Sequence, residues 1–216
     1  MEAPTLDETL LHNRDYTLIL AKTAIDHALR PPGFSKRWVA AQKAILTLMQ
    51  TCEKFDSDGL TLYLSCCGTQ GKGLFKQYRH VTSSYLEPIL QSNFPPERVE
   101  LEEVLQMALD DYFGRKAIGK TKPNGEMILV LLDGEPSDRP AMIKTIKAAT
   151  QQMQTDEELG IGLIQIGEDA IARGFLSMLD KDLQASGAKF DIVHYKQLEA
   201  IEFNSLTEFL LNVLND

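Results

Sequence analysis

Very little in this sequence is suited to cross-linking or to capturing a metal. Its three cysteines, Cys52, Cys66 and Cys67, are odd in number and two are adjacent. That suits no disulfide framework and points to a reducing, cytoplasmic setting. The four histidines, His12, His27, His80 and His194, are scattered without metal-ligand spacing. No apolar run approaches the ~20 residues that span a bilayer, and the acidic start "MEAPTLDETLLHNRD" lacks the basic-then-apolar plan of a signal peptide. Positive charge is outnumbered: a net charge of −9 argues against a protein that grips phosphate backbones non-specifically. What remains is ordinary globular composition, 44% hydrophobic and 25% charged residues over 216 positions, enough for the core of one large domain.

Strand and helix patterns alternate along the chain. The stretch "YTLIL" (16–20) reads as a buried strand. Ser35 caps a helix running to about Phe55, whose inward face carries Trp38, Ala41, Ile45, Leu48, Met49 and Cys52 at spacings of three or four. After the turn Asp56-Ser57-Asp58-Gly59, "LTLYLS" alternates with the period of two of a strand. From Cys66 to Tyr78 the chain is glycine-rich and polar and reads as a loop, with a short strand near 80–82. Leu101, Val104, Leu105, Ala108, Leu109 and Tyr112 mark an amphipathic helix, and "EMILVLLDGEP" a strand buried on both faces. Pro140 starts a helix, "IGLIQIG" is a strand, and a helix over 169–186 stops at Gly187. "KFDIV" reads as the last strand, and Ser205-x-x-Glu208 as a capping box for the last helix.

This order predicts an α/β fold: a single doubly wound, mostly parallel, Rossmann-like sheet of about six strands flanked by helices. It covers residues 14–216 behind a lead segment, 1–13. Ligands of such sheets bind outside the carboxyl ends of the strands, where the strand order reverses. The residues to inspect therefore follow Leu20 and Leu132.

Several motifs fail on context. Gly114 to Thr121, "GRKAIGKT", matches the phosphate-loop pattern GxxxxGK[ST], but a helix precedes it and Pro123-Asn124-Gly125 follows, so no helix amino terminus can cradle phosphate. "CGTQGKG" fits no phosphate motif. No G-x-S-x-G elbow is present, Asp110-Asp111 lie on a helix flank, and no base stands near Cys66 or Cys67 in sequence. The expectation is a protein that is not an enzyme and binds no nucleotide or other cofactor.

The segments "RDYTLIL", "FDSDGLTLYL", "GEMILVLLDGEP", "LIQIG" and "GAKFDIV", in this order and spacing, resemble bacterial von Willebrand factor A (vWA) domain proteins of the small cytoplasmic type, from Arg14 to Asp216. The resemblance implies a doubly wound sheet and a metal-ion-dependent adhesion site. That site consists of D-x-S-x-S after the first strand, a Thr on a middle loop and an Asp after the fourth strand. Carried over, the leading Asp falls on Ala21, the first Ser on Thr23, the second on Ile25 and the loop Thr near Val99; the last Asp alone survives, as Asp133. "AKTAI" therefore leaves a degenerate site without the oxygens an octahedral Mg²⁺ requires. Asp133 is expected to accept hydrogen bonds from the turn that follows it or from the Thr23 hydroxyl.

A non-catalytic, metal-independent protein–protein interaction module is thus expected, by family analogy an adaptor in an assembly or stress pathway. Its partner is another protein, not nucleic acid or membrane, and its candidate contact rim is Lys22, Thr23, Asp26, Asp133, Glu135, Ser137 and Asp138. Two alternatives stay open: a cation-dependent vWA partner-binding protein with altered ligation through Asp26 and Asp133, and a Cys-dependent enzyme using Cys66 or Cys67.

Overall fold

The computed structural model describes residues 7–23, 36–68, 73–96, 98–201 and 205–215. Six strands form one sheet: β1 (Asp15–Ala21), β2 (Leu60–Cys67), β3 (Gly73–Val81), β4 (Glu126–Leu132), β5 (Leu159–Gln165) and β6 (Val193–Gln197). Their spatial order is β3-β2-β1-β4-β5-β6, parallel throughout except for the antiparallel β2–β3 pair. The helices are α1 (Lys36–Cys52), α2 (Leu86–Gln91), α3 (Leu101–Ala117), α4 (Arg139–Gln152), α5 (Ala170–Asp182) and α6 (Leu206–Asn212).

Alternation along β4 shows how the layers are built. Met127, Leu129 and Leu131 join a core with Trp38, Ile45 and Leu48 of α1 and Phe209 and Leu210 of α6. Ile128, Val130 and Leu132 face the opposite way, into a core with Val104 and Leu105 of α3, Met142 and Ile146 of α4 and Leu176 of α5. A strand buried on both faces favours an unbroken apolar run, and β4 has one from Met127 to Leu132. No helix among the described residues is long and apolar enough to cross a membrane.

Polar anchors hold the amino edge of the sheet. The Arg14 side chain is fully buried. It donates from Nε to the Leu10 carbonyl (3.1 Å), from Nη1 to the Glu126 carbonyl (3.1 Å) and from Nη2 to the Glu157 carbonyl (2.6 Å). The buried Glu126 carboxylate accepts the Thr17 hydroxyl at 2.5 Å and is paired with Arg115. Buried charge survives only when satisfied in this way, and these bonds tie the start of β1 to the start of β4. Leu11, just ahead of Arg14, belongs to the core.

The structure departs from the sequence expectation in places. The segment read as a loop from Cys66 onward contributes the end of β2 and a nine-residue edge strand, β3. Its polar side chains hid it, because an edge strand need bury only one side and carries charge to resist further pairing. The last strand is Val193–Gln197, so "KFDIV" supplies only its first residue, and α2 was not anticipated. Helix α5 ends at Asp182, short of the stop expected at Gly187, and turns carry the chain on to Gly187, whose φ is +100°. Gly114 of the phosphate-loop look-alike lies inside α3.

Candidate functional site

The sheet's strand order reverses between β1 and β4: from β1 the chain builds outward through β2 and β3, then returns to the other side of β1 as β4. Ala21 and Leu132, the last residues of these neighbours, are in register. The chain beyond them opens a cavity of ≈ 340 Å³ whose lining includes Ala21, Thr23, Arg98, Val99, Asp133 and Ser137. Three separated stretches of sequence therefore meet here. All the positions that the resemblance assigns to metal ligation, apart from Ile25, line this cavity; Ile25 and Asp26 lie outside the described residues.

Asp133 is the centre of the site. Its Oδ2 accepts the Thr23 hydroxyl at 2.9 Å and the Trp38 indole Nε1–H at 2.9 Å. The first bond is one of the two alternatives expected from sequence. The second was not legible there, because Trp38 reads as one more apolar residue on the inward face of α1; it is indeed buried, yet its single polar atom reaches across to the end of β4. Two donors converging on one oxygen lock together the exits of β1 and β4 and the first turn of α1.

The remaining rim candidates are placed as follows. Glu135 pairs with Arg139, four residues on, with the Arg139 Nε at 2.7 Å from its carboxylate. The Ser137 hydroxyl donates to Glu102 Oε1 at 2.8 Å. Asp138 caps α4, accepting the Ala141 amide at 2.9 Å ahead of Pro140. Thr23, Asp133, Glu135 and Ser137 line the cavity, whereas Asp138 serves the helix behind it.

Lys22 departs from the rim expectation. Side chains alternate along an extended chain, so the residue after Ala21 turns to the opposite face. There Lys22 is 1% exposed, beside Trp38, Ile45 and Leu90, and donates to the Asn93 carbonyl at 3.2 Å. Burial pushes its ammonium down to about 7, against a smaller upward pull from Cys66.

Do these residues fit a divalent cation? The side chains of Ala21 and Val99 offer only carbon, Glu135 is engaged by Arg139, and Asp133 Oδ2 already accepts two donors. Among the described residues no group of three or more His, Cys, Asp or Glu is arranged to hold a metal ion. The donor set of the described residues does not match the near-octahedral oxygen shell of Mg²⁺.

Cys66 is poorly placed as a nucleophile. Cys66 is buried in β2, and desolvation pushes its thiol up, disfavouring the reactive thiolate. Cys67 is exposed, and its thiol donates to the Pro95 carbonyl at 3.2 Å.

No family model matches the chain, and no curated protein matches it. Solved structures do. Manganese-loaded TRAP protein of Plasmodium vivax superposes with a TM-score of 0.55 at 11% identity, over 94% of this chain and 74% of that one. Proximal thread matrix protein 1 of the mussel byssus gives 0.53 at 13%, over 94% and 47%. A mutant of the PilB minor pilin of Streptococcus sanguinis gives 0.53 at 9%, over 94% and 60%. The chain thus spans about half of the mussel protein and three fifths of the pilin. At such identities the likeness concerns architecture alone, and the architecture is that of a vWA-like doubly wound α/β domain.

Proposed function

We propose that this chain is a protein-interaction module of the vWA type in which the cavity at the β1–β4 exit meets a partner without a bridging cation. The observation that carries the proposal is the pair of donors on Asp133. An aspartate that holds the Thr23 hydroxyl and the Trp38 indole serves as a structural clamp, and its charge is already stabilised without an ion. The fold likeness to TRAP, a pilin and a matrix protein supports an interaction or adhesion type of domain. The raised Cys66 thiol speaks against a thiol enzyme, and the free thiols Cys52, Cys66 and Cys67 suit a cytoplasmic adaptor. Binding then depends on shape, hydrogen bonds and fixed charges, while the net charge of −9 tunes encounter rates.

Titration calorimetry with Mg²⁺ and with Mn²⁺ tests this directly. The expected result is no saturable heat with either ion. A sub-millimolar isotherm would sink the proposal and favour the cation-dependent alternative.

A further inference from the structure

Among the described residues at the cavity, every charged group but one is already engaged. Asp133 holds Thr23 and Trp38, Glu135 holds Arg139, Asp138 caps α4, and the Ser137 proton goes to Glu102. The exception is Arg98, on the loop ahead of α3. Its side chain is exposed and lines the cavity, and it makes no hydrogen bond or ion pair with any described residue. It stands next to Val99, the position at which the cavity wall lacks a hydroxyl.

We propose, resting on the metal-free interaction just described, that the cavity is a carboxylate pocket in which the Arg98 guanidinium grips an aspartate or glutamate side chain of the partner protein. A guanidinium presents a planar fork of N–H donors that matches the two oxygens of a carboxylate, and it stays charged at any physiological pH. The hydroxyls of Thr23 and Ser137 have already spent their protons, so Arg98 is the side-chain donor left among the described residues that line the cavity. A cavity of ≈ 340 Å³ accommodates one such side chain. The same geometry disfavours a phosphorylated partner. A phosphate carries close to two negative charges and is met by clusters of arginines, whereas here one arginine shares the cavity lining with Asp133 and Glu135.

The chain supplies its own probe. Trp38 is the sole tryptophan, and its indole N–H is bonded to the aspartate that lines the cavity. The ¹⁵N-labelled protein is titrated with a capped aspartate, N-acetyl-aspartyl amide, at constant ionic strength while the indole resonance is followed. The expected outcome is a saturable shift in the millimolar range that weakens at least about fivefold in Arg98→Ala and less in Arg98→Lys. The capped asparagine gives no saturable shift, and inorganic phosphate binds more weakly than the aspartate. Because Arg98 is exposed, an unchanged melting temperature confirms that the variants are folded. A merely linear response, or binding that Arg98→Ala leaves untouched, overturns the carboxylate pocket but leaves the metal-free module standing. Phosphate binding tighter than aspartate overturns it as well. A saturable shift with Mg²⁺ but not with the capped aspartate overturns both.

Discussion

Among individual residues, Lys22 carries the sharpest dependence on pH. Its folded-state pKa of about 7 lies well below the ordinary lysine value near 10.4. Between those values the unfolded chain binds more protons than the folded one, so this residue makes stability rise with pH. Below about 7 both states are protonated and the full cost of burying the ammonium is felt, at roughly 1.4 kcal/mol per unit of displacement. Lys22→Met keeps the length and removes the charge. The variant is expected to be more stable than the parent by about 2–4 kcal/mol at pH 6, with the advantage shrinking steadily toward pH 10. Urea denaturation at several pH values measures it, and a difference that does not change with pH would show that the ammonium is not desolvated. From sequence alone Lys22 looked like a rim residue, since nothing local says how deep the turn after β1 lies. Asp133 and Thr23 were legible because their positions follow directly from the strands that deliver them. Trp38 and Arg98 were not: each reaches the site from a separate element, and only the tertiary fold brings them there.

The elements repeat this division. Strands β1 and β4 were readable because double burial forces an unbroken apolar run, and α3 because its apolar residues recur at helical spacing. Strand β3 was missed because its half-exposed, charged sequence carries no such constraint. Close approach is another property that sequence conceals. At Gly160 in β5 a Cβ would sit 2.8 Å from the Val213 carbonyl oxygen, just beyond α6, so α6 lies against β5 only because no side chain intervenes. Gly160→Ala must displace backbone and is expected to cost about 1–3 kcal/mol. Gly174, in the exposed face of α5, has nothing within 4 Å of that position, and Gly174→Ala should stabilise by about 0.5–1 kcal/mol. Chemical denaturation of the two variants side by side checks the pair; equal effects would mean that the α6–β5 contact is not as close as described.

For the whole molecule, an ion bound only by the folded state would raise stability by mass action, by about 2.7 kcal/mol at a hundredfold excess over its Kd. In a chain of 216 residues that corresponds to a melting shift of several degrees. The expectation is a shift below about 1 °C between chelator and millimolar Mg²⁺ at matched ionic strength, with differential scanning calorimetry as the readout. A larger shift would mean that the folded protein holds a cation, against the metal-free reading. The Arg14 clamp bears on how such experiments are mounted. By holding the carbonyls of Leu10, Glu126 and Glu157, it fixes the segment at residue 7 to the pole of the sheet farthest from the cavity. A tether attached ahead of that segment would leave the cavity facing the solution, so a sensor chip coated this way would present every molecule with its open end outward.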